Sequence, residues 1–324
     1  MTEILRVHGS ENTFLLIDQR NLNQPLSDSE LQQLAQTSLK SDDKAVGGTD
    51  GLLVVNQPTK EHALAQMRVI NSDGSEASMC GNGLRTVARY LSETTNQDQF
   101  LVDTMHANLR VRKMPQLFTG IPTFSDEISP VSFDLDTLPM TLPEHTQVID
   151  EIIPELHPSI HFSAVSVPNP HLIGIVTHDE MESSLLEDLG RRLNEPNEFF
   201  SDGVNLSFVE ILGPNRIFVR TFERGVGLTN ACGTGMSAAT LVYDLTHPES
   251  GTFETLTNVT NPGGMVQTTA HKNDDQYWIE LTGNATVTFK IEITESDLHD
   301  ANLENITATD THEETQYQRF VNSL

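Results

Sequence analysis

The chain has 324 residues, 37% hydrophobic and 20% charged, enough for two domains of ordinary size and unlike a disordered polypeptide. Acidic residues outnumber basic ones 46 to 19, a formal net charge of −27 that repels phosphate backbones and anionic lipid, so neither nucleic acid nor membrane is expected as a partner. No apolar run reaches the ~20 residues of a membrane-spanning helix, and the start Met1-Thr2-Glu3-Ile4-Leu5-Arg6 lacks a secretory pattern, so a cytoplasmic protein is expected.

Residues 4–7 and 13–18 read as strands around a turn at His8-Gly9-Ser10-Glu11-Asn12. A helix follows: Ser27 with Glu30 makes a capping box, and Leu31, Leu34 and Ala35 form an apolar stripe. Gly47-Gly48-Thr49-Asp50-Gly51 predicts a tight loop before a strand over 52–55. Another strand, 67–70, ends in Asn71-Ser72-Asp73-Gly74-Ser75. The stretch 120–154 is rich in Pro, Ser, Thr and acidic residues, and the domain crossover is expected near its start. The expected halves are therefore 1–122 and 123–293, with 294–324 available to pack back onto the first.

In the second half, 161–167 and 172–176 read as strands flanking Pro168-Asn169-Pro170-His171. One helix is expected over about 179–193, with Leu185, Leu186, Leu189 and Leu193 on one side. Strands over 208–212, 217–221, 277–281 and 287–293 complete the set. His157 and His161 have i, i+4 spacing, but Pro158 between them argues for loop residues rather than helical metal ligands. The acidic tail after Thr294 reads as a solvated connector ending in a docked segment, with Phe320, Val321 and Leu324 available for packing.

The chemistry-bearing feature is an internal repeat around the two cysteines. Met79-Cys80-Gly81-Asn82-Gly83 matches Ala231-Cys232-Gly233-Thr234-Gly235, and helix-compatible sequence follows each. In the first copy Leu84, Val87, Ala88 and Leu91 recur as one buried helical face requires. Two cysteines cannot staple a small secreted domain, and neither lies in a C-x-x-C pair, so no metal site is expected. A single Cys-Gly-x-Gly is more often just a small buried thiol; two matching copies that hold the chain's only cysteines weigh against that.

Each motif puts a cysteine at a helix N-terminus, where exposed N–H groups and the macrodipole favour negative charge. That placement is expected to lower the thiol pKa from about 8.5, and the glycines let backbone N–H groups approach an anionic ligand. The pattern fits inversion at an amino-acid Cα, a weakly acidic carbon whose carbanion needs charge stabilisation at its carboxylate. Inversion also needs a base on one face and an acid on the other, and one thiolate with one thiol supplies both.

The stretches His8-Gly9-Ser10-Glu11-Asn12-Thr13-Phe14, 71–83, Asn169-Pro170-His171 and Glu223-Arg224-Gly225-Val226-Gly227, leading to Ala231-Cys232-Gly233-Thr234-Gly235, follow one another in a specific order. In these the chain resembles the diaminopimelate epimerase family, from His8 through Gly283. The resemblance implies an α/β fold of the α+β type: two pseudo-symmetric domains, each a mostly antiparallel sheet wrapped around a central helix, with the site between them. It implies conversion of LL-diaminopimelate to the meso form, without pyridoxal phosphate, other cofactor or metal, in lysine and peptidoglycan-precursor synthesis.

By motif position, Cys80 and Cys232 would transfer the proton, and His171 and Glu223 would assist at the reacting centre and tune the thiols. The resemblance assigns substrate binding to Asn12, Asn71, Asn169, Asn205, Glu223 and Arg224, and carboxylate contacts to Gly81, Asn82, Gly233 and Thr234. Amides and one guanidinium suit a distal zwitterion. Taken singly, each Asn would be a turn or cap residue, Asn71 most clearly, Arg224 and Glu223 a surface ion pair, and His171 a satisfied core histidine.

Pro168, Leu228, Gly51 and Ala107 depart from the commoner family pattern without touching the cysteines. A homodimer is compatible with the resemblance. The alternatives are a racemase of another amino acid, such as histidine or proline, on the same fold, a non-catalytic binding homologue, and redox control through a Cys80–Cys232 disulfide.

Overall fold

The computed structural model describes residues 1–274 and 276–323; Leu324, one of the expected packing residues, lies outside them. The chain divides into two units, Met1–Asp126 with Thr282–Leu324, and Glu127–Leu281. Among the described residues no helix is long and apolar enough to cross a membrane.

In the first unit, strand Thr2–Gly9 pairs antiparallel with Asn12–Asp18 and with Thr286–Ile293. Asn12–Asp18 runs parallel to Gly51–Asn56, which is antiparallel to Ala63–Asn71. Ala63–Asn71 is parallel to Gln99–Asp103, itself antiparallel to Asn108–Met114. The run Leu52-Leu53-Val54-Val55 is apolar throughout because both faces of this strand are covered. Leu53 and Val55 meet Leu84, Val87, Ala88 and Leu91 of helix Gly81–Thr95, the face the periodicity predicted. Leu52 and Val54 meet Leu31, Leu34 and Ala35 of helix Asp28–Lys40. That helix starts with both halves of the Ser27–Glu30 capping box.

The second unit repeats this order. Strand His161–Ser166 pairs antiparallel with Pro170–Ile175, which is parallel to Asn205–Gly213. Asn205–Gly213 is antiparallel to Arg216–Glu223, which is parallel to Thr257–Asn261, antiparallel in turn to Gly264–Asn273. In both units a short strand, Glu76–Ala77 or Gly227–Thr229, turns back antiparallel and leads into the cysteine-headed helix, Gly81–Thr95 or Gly233–Thr246. The sequence repeat is thus a repeat of strand order.

Three expectations need correction. The single helix over 179–193 is two, His178–Glu182 and Leu185–Asn194. Ser183 is extended between them, its hydroxyl bonded back to the Glu180 carbonyl while the Ser184 hydroxyl donates to Asp188. These short side chains offer local partners that compete with a continuous helical ladder.

The turn expected across 8–12 is tighter. Strands run through Gly9 and from Asn12, leaving a two-residue loop with Ser10 at φ 50° and Glu11 at φ 67°. Two positive φ values suit a primed hairpin turn, usually built from Gly or Asn.

The tail does end in a docked segment, and the connector before it is exposed but structured rather than merely solvated. Thr307–Asp310 pairs with Thr286–Ile293, and helix Glu313–Val321 buries Tyr317 and Phe320 in the first unit. Two of its acidic residues are paired: Glu313 makes a two-pronged ion pair with Arg89 at 2.6 and 2.7 Å, and Glu314 lies 2.8 Å from His8.

Candidate active site: two cysteine-headed helix starts

Cys80 is the N-cap of its helix, extended at φ −143°, and its sulfur accepts the Gly83 N–H at 3.4 Å. The thiol donates to Asn12 Oδ1 at 3.4 Å. Asn12 is held in turn by Asp50, which accepts from its Nδ2 and from the Thr13 N–H, both at 2.7 Å. Asn82, one turn position into the helix, is buried, and its Oδ1 accepts from Arg85 Nη2 at 2.6 Å. Arg85 is fully buried and pairs with the equally buried Asp126 at 3.1 Å.

Two glycines here are required by close approach. A Cβ on Gly83 would lie 2.5 Å from Leu53 Cδ2, and one on Gly9 would lie 2.8 Å from the Asn82 carbonyl oxygen. The helix start is thereby seated on the sheet. The Asn71 amide donates to Ser75 Oγ at 2.9 Å inside its own turn, the local role a lone Asn would be given. Its strand partner Gly51 has no room for a side chain, since a Cβ would sit 2.1 Å from the Ile70 carbonyl oxygen.

The Cys232 group is denser. Thr234 Oγ1 accepts from Asn169 Nδ2 at 3.2 Å, lies 3.1 Å from His171 Nε2 and 3.6 Å from the Cys232 sulfur. His171 Nε2 is also 3.2 Å from Asn169 Oδ1, an acceptor, so the ring proton belongs on Nε2. Nδ1 has no hydrogen-bond partner among the described residues. Glu223 interacts with the Cys232 thiol and accepts from Thr229 Oγ1 at 2.6 Å. Asn205 is buried, donating to the Pro170 carbonyl at 3.1 Å and accepting the Arg224 N–H at 2.9 Å. The Arg224 guanidinium is exposed, touching the Asp202 carbonyl at 3.3 Å. Gly235 is closely packed: a Cβ would meet Thr221 Oγ1 at 2.9 Å, Ser207 Oγ at 3.1 Å and the Cys232 sulfur at 3.2 Å, so these groups would have to shift.

The electrostatics reverse one expectation. Neither thiol ends below its ordinary value. Burial pushes Cys80 up to about 11, with the Gly83 N–H and Arg85 pulling back only in part. Cys232 is pushed up to about 12 by burial and then by the Glu223 charge, against smaller pulls from Thr234 and the Gly235 N–H. Partial charges at a helix end act in the expected direction, but desolvation of an anion outweighs them. Burial likewise raises the Glu223 carboxyl above its ordinary range and lowers His171 to about 3, the Arg224 charge adding to the latter. His171 is therefore a neutral ring that can act by hydrogen bonding, not by charge.

Within its own unit the structure thus gathers Cys80, Asn12 and Asn82 into one group, and Cys232, Thr234, His171, Asn169, Glu223, Asn205 and Arg224 into another. Sequence reasoning missed Asp50 and Thr229, which orient Asn12 and Glu223. The signal for Asp50 was its place in the Gly-rich loop; for Thr229 it was the spacing to Cys232, three residues along.

A model of the diaminopimelate epimerase family matches residues 4–113 and 163–288. The chain is 51% identical to a diaminopimelate epimerase of Ligilactobacillus salivarius, with 99% of each chain covered. It is 50% identical to one of Lactiplantibacillus plantarum, with 99% of this chain and 98% of the relative covered. Among solved structures, a phenazine biosynthesis protein of the PhzF family from Bacillus anthracis superposes with a TM-score of 0.63 at 15% identity, over 91% of this chain and all of the other, which shows a shared fold. From the match of model and relatives over nearly its whole length, the chain belongs to the diaminopimelate epimerase family.

Proposed function

We propose that this enzyme converts LL-2,6-diaminopimelate to meso-diaminopimelate by moving one Cα proton between Cys80 and Cys232. The observation that carries the reading is the repeat: the same strand order in each unit ends in a cysteine at a glycine-flanked helix start. The two units are read as the two halves of the epimerase, one cysteine in each.

In this mechanism a thiolate on one face takes the Cα proton, forming S–H as the C–H electron pair passes into the substrate carboxylate. The thiol on the other face then delivers its proton to the carbon and is left as thiolate. Charge on the carboxylate is met by the N–H groups at Gly81 and Asn82 and at Gly233 and Thr234, the first residues of the two helices. The thiol pKa values near 11 and 12 support interchangeable roles. Both are raised by the same cause, burial, so neither sulfur is singled out as the permanent base. High values also mean that whichever sulfur is ionised is a strong base for a weak carbon acid. The substrate's ammonium supplies the positive charge that ionising one buried thiol requires.

Glu223 and Thr234 act on Cys232, and Asn12 on Cys80, through the contacts described. Asn169 and neutral His171 position Thr234, and Nδ1 of His171 is an acceptor suited to a substrate N–H. Asn71, Asn205 and Arg224 are read as binding the distal amino-acid group. Two thiols supply both acid and base, so the reading calls on no cofactor or metal. The partner is a small molecule; a homodimer would be read by light scattering. Lysine and peptidoglycan-precursor synthesis implies a cytoplasmic enzyme.

The test is turnover of LL-diaminopimelate beside proline and histidine, with solvent-deuterium incorporation at Cα. Turnover confined to diaminopimelate, lost in Cys80→Ala and Cys232→Ala, is expected. Turnover of histidine or proline instead would favour a different racemase, no exchange on any of them a binding protein, and exchange persisting in both variants would overturn the two-thiol step.

A further inference from the structure

We propose that Glu314, in the C-terminal helix, is a positioning residue for Cys80, acting through His8 and the Ser10–Glu11 turn on Asn12. The proposal rests on the two-thiol reading for its functional meaning, and it starts from Glu314, beyond residue 288 where the family match ends, and reaches the first strand through His8.

The chain of contacts is directional. A carboxylate can only accept, so the 2.8 Å contact from His8 Nε2 to Glu314 Oε2 puts the ring proton on Nε2. Nδ1 is then a bare acceptor. It takes the Glu11 backbone N–H at 3.3 Å and faces Asn284 Nδ2 at 3.4 Å. Asn284 Oδ1 in turn accepts the Ser10 N–H at 2.8 Å. Both N–H groups of the two-residue turn are thus bound, and the turn is one that needs holding, since Ser10 and Glu11 each take a positive φ without being glycine. Gln318 of the same helix adds a contact to the Glu11 side chain at 3.3 Å, and Tyr317 sets its ring edge-on to His8 at 4.7 Å. The next residue is Asn12, whose Oδ1 accepts the Cys80 thiol proton.

Without an acceptor at position 314 the His8 proton is free to move to Nδ1, where it would oppose the Glu11 N–H. The turn loosens and the Asn12 carbonyl leaves the thiol. An acceptor that favours S–H is lost, so the Cys80 thiolate becomes more accessible while Cys232 has no part in the change.

The test is alkylation by iodoacetamide, with the two cysteine peptides followed separately by mass spectrometry in the full chain. Glu314→Ala should speed alkylation of Cys80 about five-fold, the worth of one ordinary hydrogen bond, leave Cys232 unchanged, and lower kcat more than it raises KM. Glu314→Gln keeps an acceptor oxygen and should match the parent protein in all three. Glu314 is 44% exposed, which favours a folded variant; Glu314→Ser, too short to reach His8, gives the same readout should the alanine variant fail to fold. Equal acceleration at both cysteines, no acceleration at Cys80, or Gln behaving as Ala would overturn the proposal. Alkylation needs no substrate, so these outcomes are independent of whether the parent protein turns over diaminopimelate.

Discussion

Replacing Arg85 by Met should uncover a buried charge whose cost can be followed with pH. Arg85 and Asp126 are both fully buried and 3.1 Å apart, with Arg85 also donating to Asn82 Oδ1. Methionine fills much of the space but removes the Arg85 charge from beside the Asp126 carboxylate. The carboxylate can escape by taking up a proton, which costs an acid of ordinary pKa near 3.9 about 4 kcal/mol at pH 7. That sets a ceiling, consistent with the ~3–5 kcal/mol of a broken buried pair. In the variant the folded-state pKa of Asp126 lies above its unfolded value, so the folded form binds more protons and stability is lost as pH rises. The penalty should be at most about 4 kcal/mol at pH 7, and should shrink by up to about 1.4 kcal/mol per unit towards at most about 1.5 kcal/mol at pH 5. Urea unfolding of parent and Arg85→Met at the two pH values measures it, and adding Asp126→Asn should remove the pH dependence. A penalty below about 1 kcal/mol, or one flat between pH 5 and 7, would refute the argument.

Two further outcomes follow from groups already described or close to them. Asp244, on the Cys232 helix, is pushed up to about 7 by burial, eased only in part by the Thr252 N–H. A raised acid loses stability for the protein as pH climbs from its unfolded value to about 7. Asp244→Asn should therefore match the parent near pH 4 and be more stable at pH 8, on the order of 1–2 kcal/mol after allowance for solvent screening; equal unfolding midpoints at pH 8 would count against it. Thr229→Val removes the 2.6 Å hydrogen bond that lowers an already raised Glu223 carboxyl. The acidic limb of kcat/KM should move up by about one pH unit, as a charge-assisted hydrogen bond is worth, and an unmoved limb would detach Glu223 from the reaction.

Features written in local chemistry were legible in the sequence. The Ser27–Glu30 capping box, the Leu84, Val87, Ala88 and Leu91 face and the two cysteine-headed helix starts all appear as read. The features that were not legible depend on contacts between distant residues. Ser10 and Glu11 do not advertise a turn with two positive φ values; Asn284 and His8 stabilise it from elsewhere in the chain. The tail reads as solvated because its acids are numerous, yet Glu313 and Glu314 find Arg89 and His8 at separations no window captures. The thiols were misjudged because a helix start is visible in sequence and the depth at which it is buried is not.

The placement of the strands has a bearing on how the chain matures during synthesis. The second unit is one continuous stretch, Glu127–Leu281, whereas the first is assembled from the two ends of the polypeptide. Strand Thr2–Gly9, one arm of the hairpin that carries Asn12, needs Thr286–Ile293 as its other neighbour, and Arg89 needs Glu313. Pairings of such high sequence separation close late and slowly. On a ribosome the Cys232 unit can fold as soon as it emerges, while the Cys80 unit waits, its sheet partly made, for Thr286–Ile293 and Glu313. A nascent chain with residues only up to 281 outside the ribosome would hold a complete second unit beside a first unit that still lacks strand Thr286–Ile293 and helix Glu313–Val321.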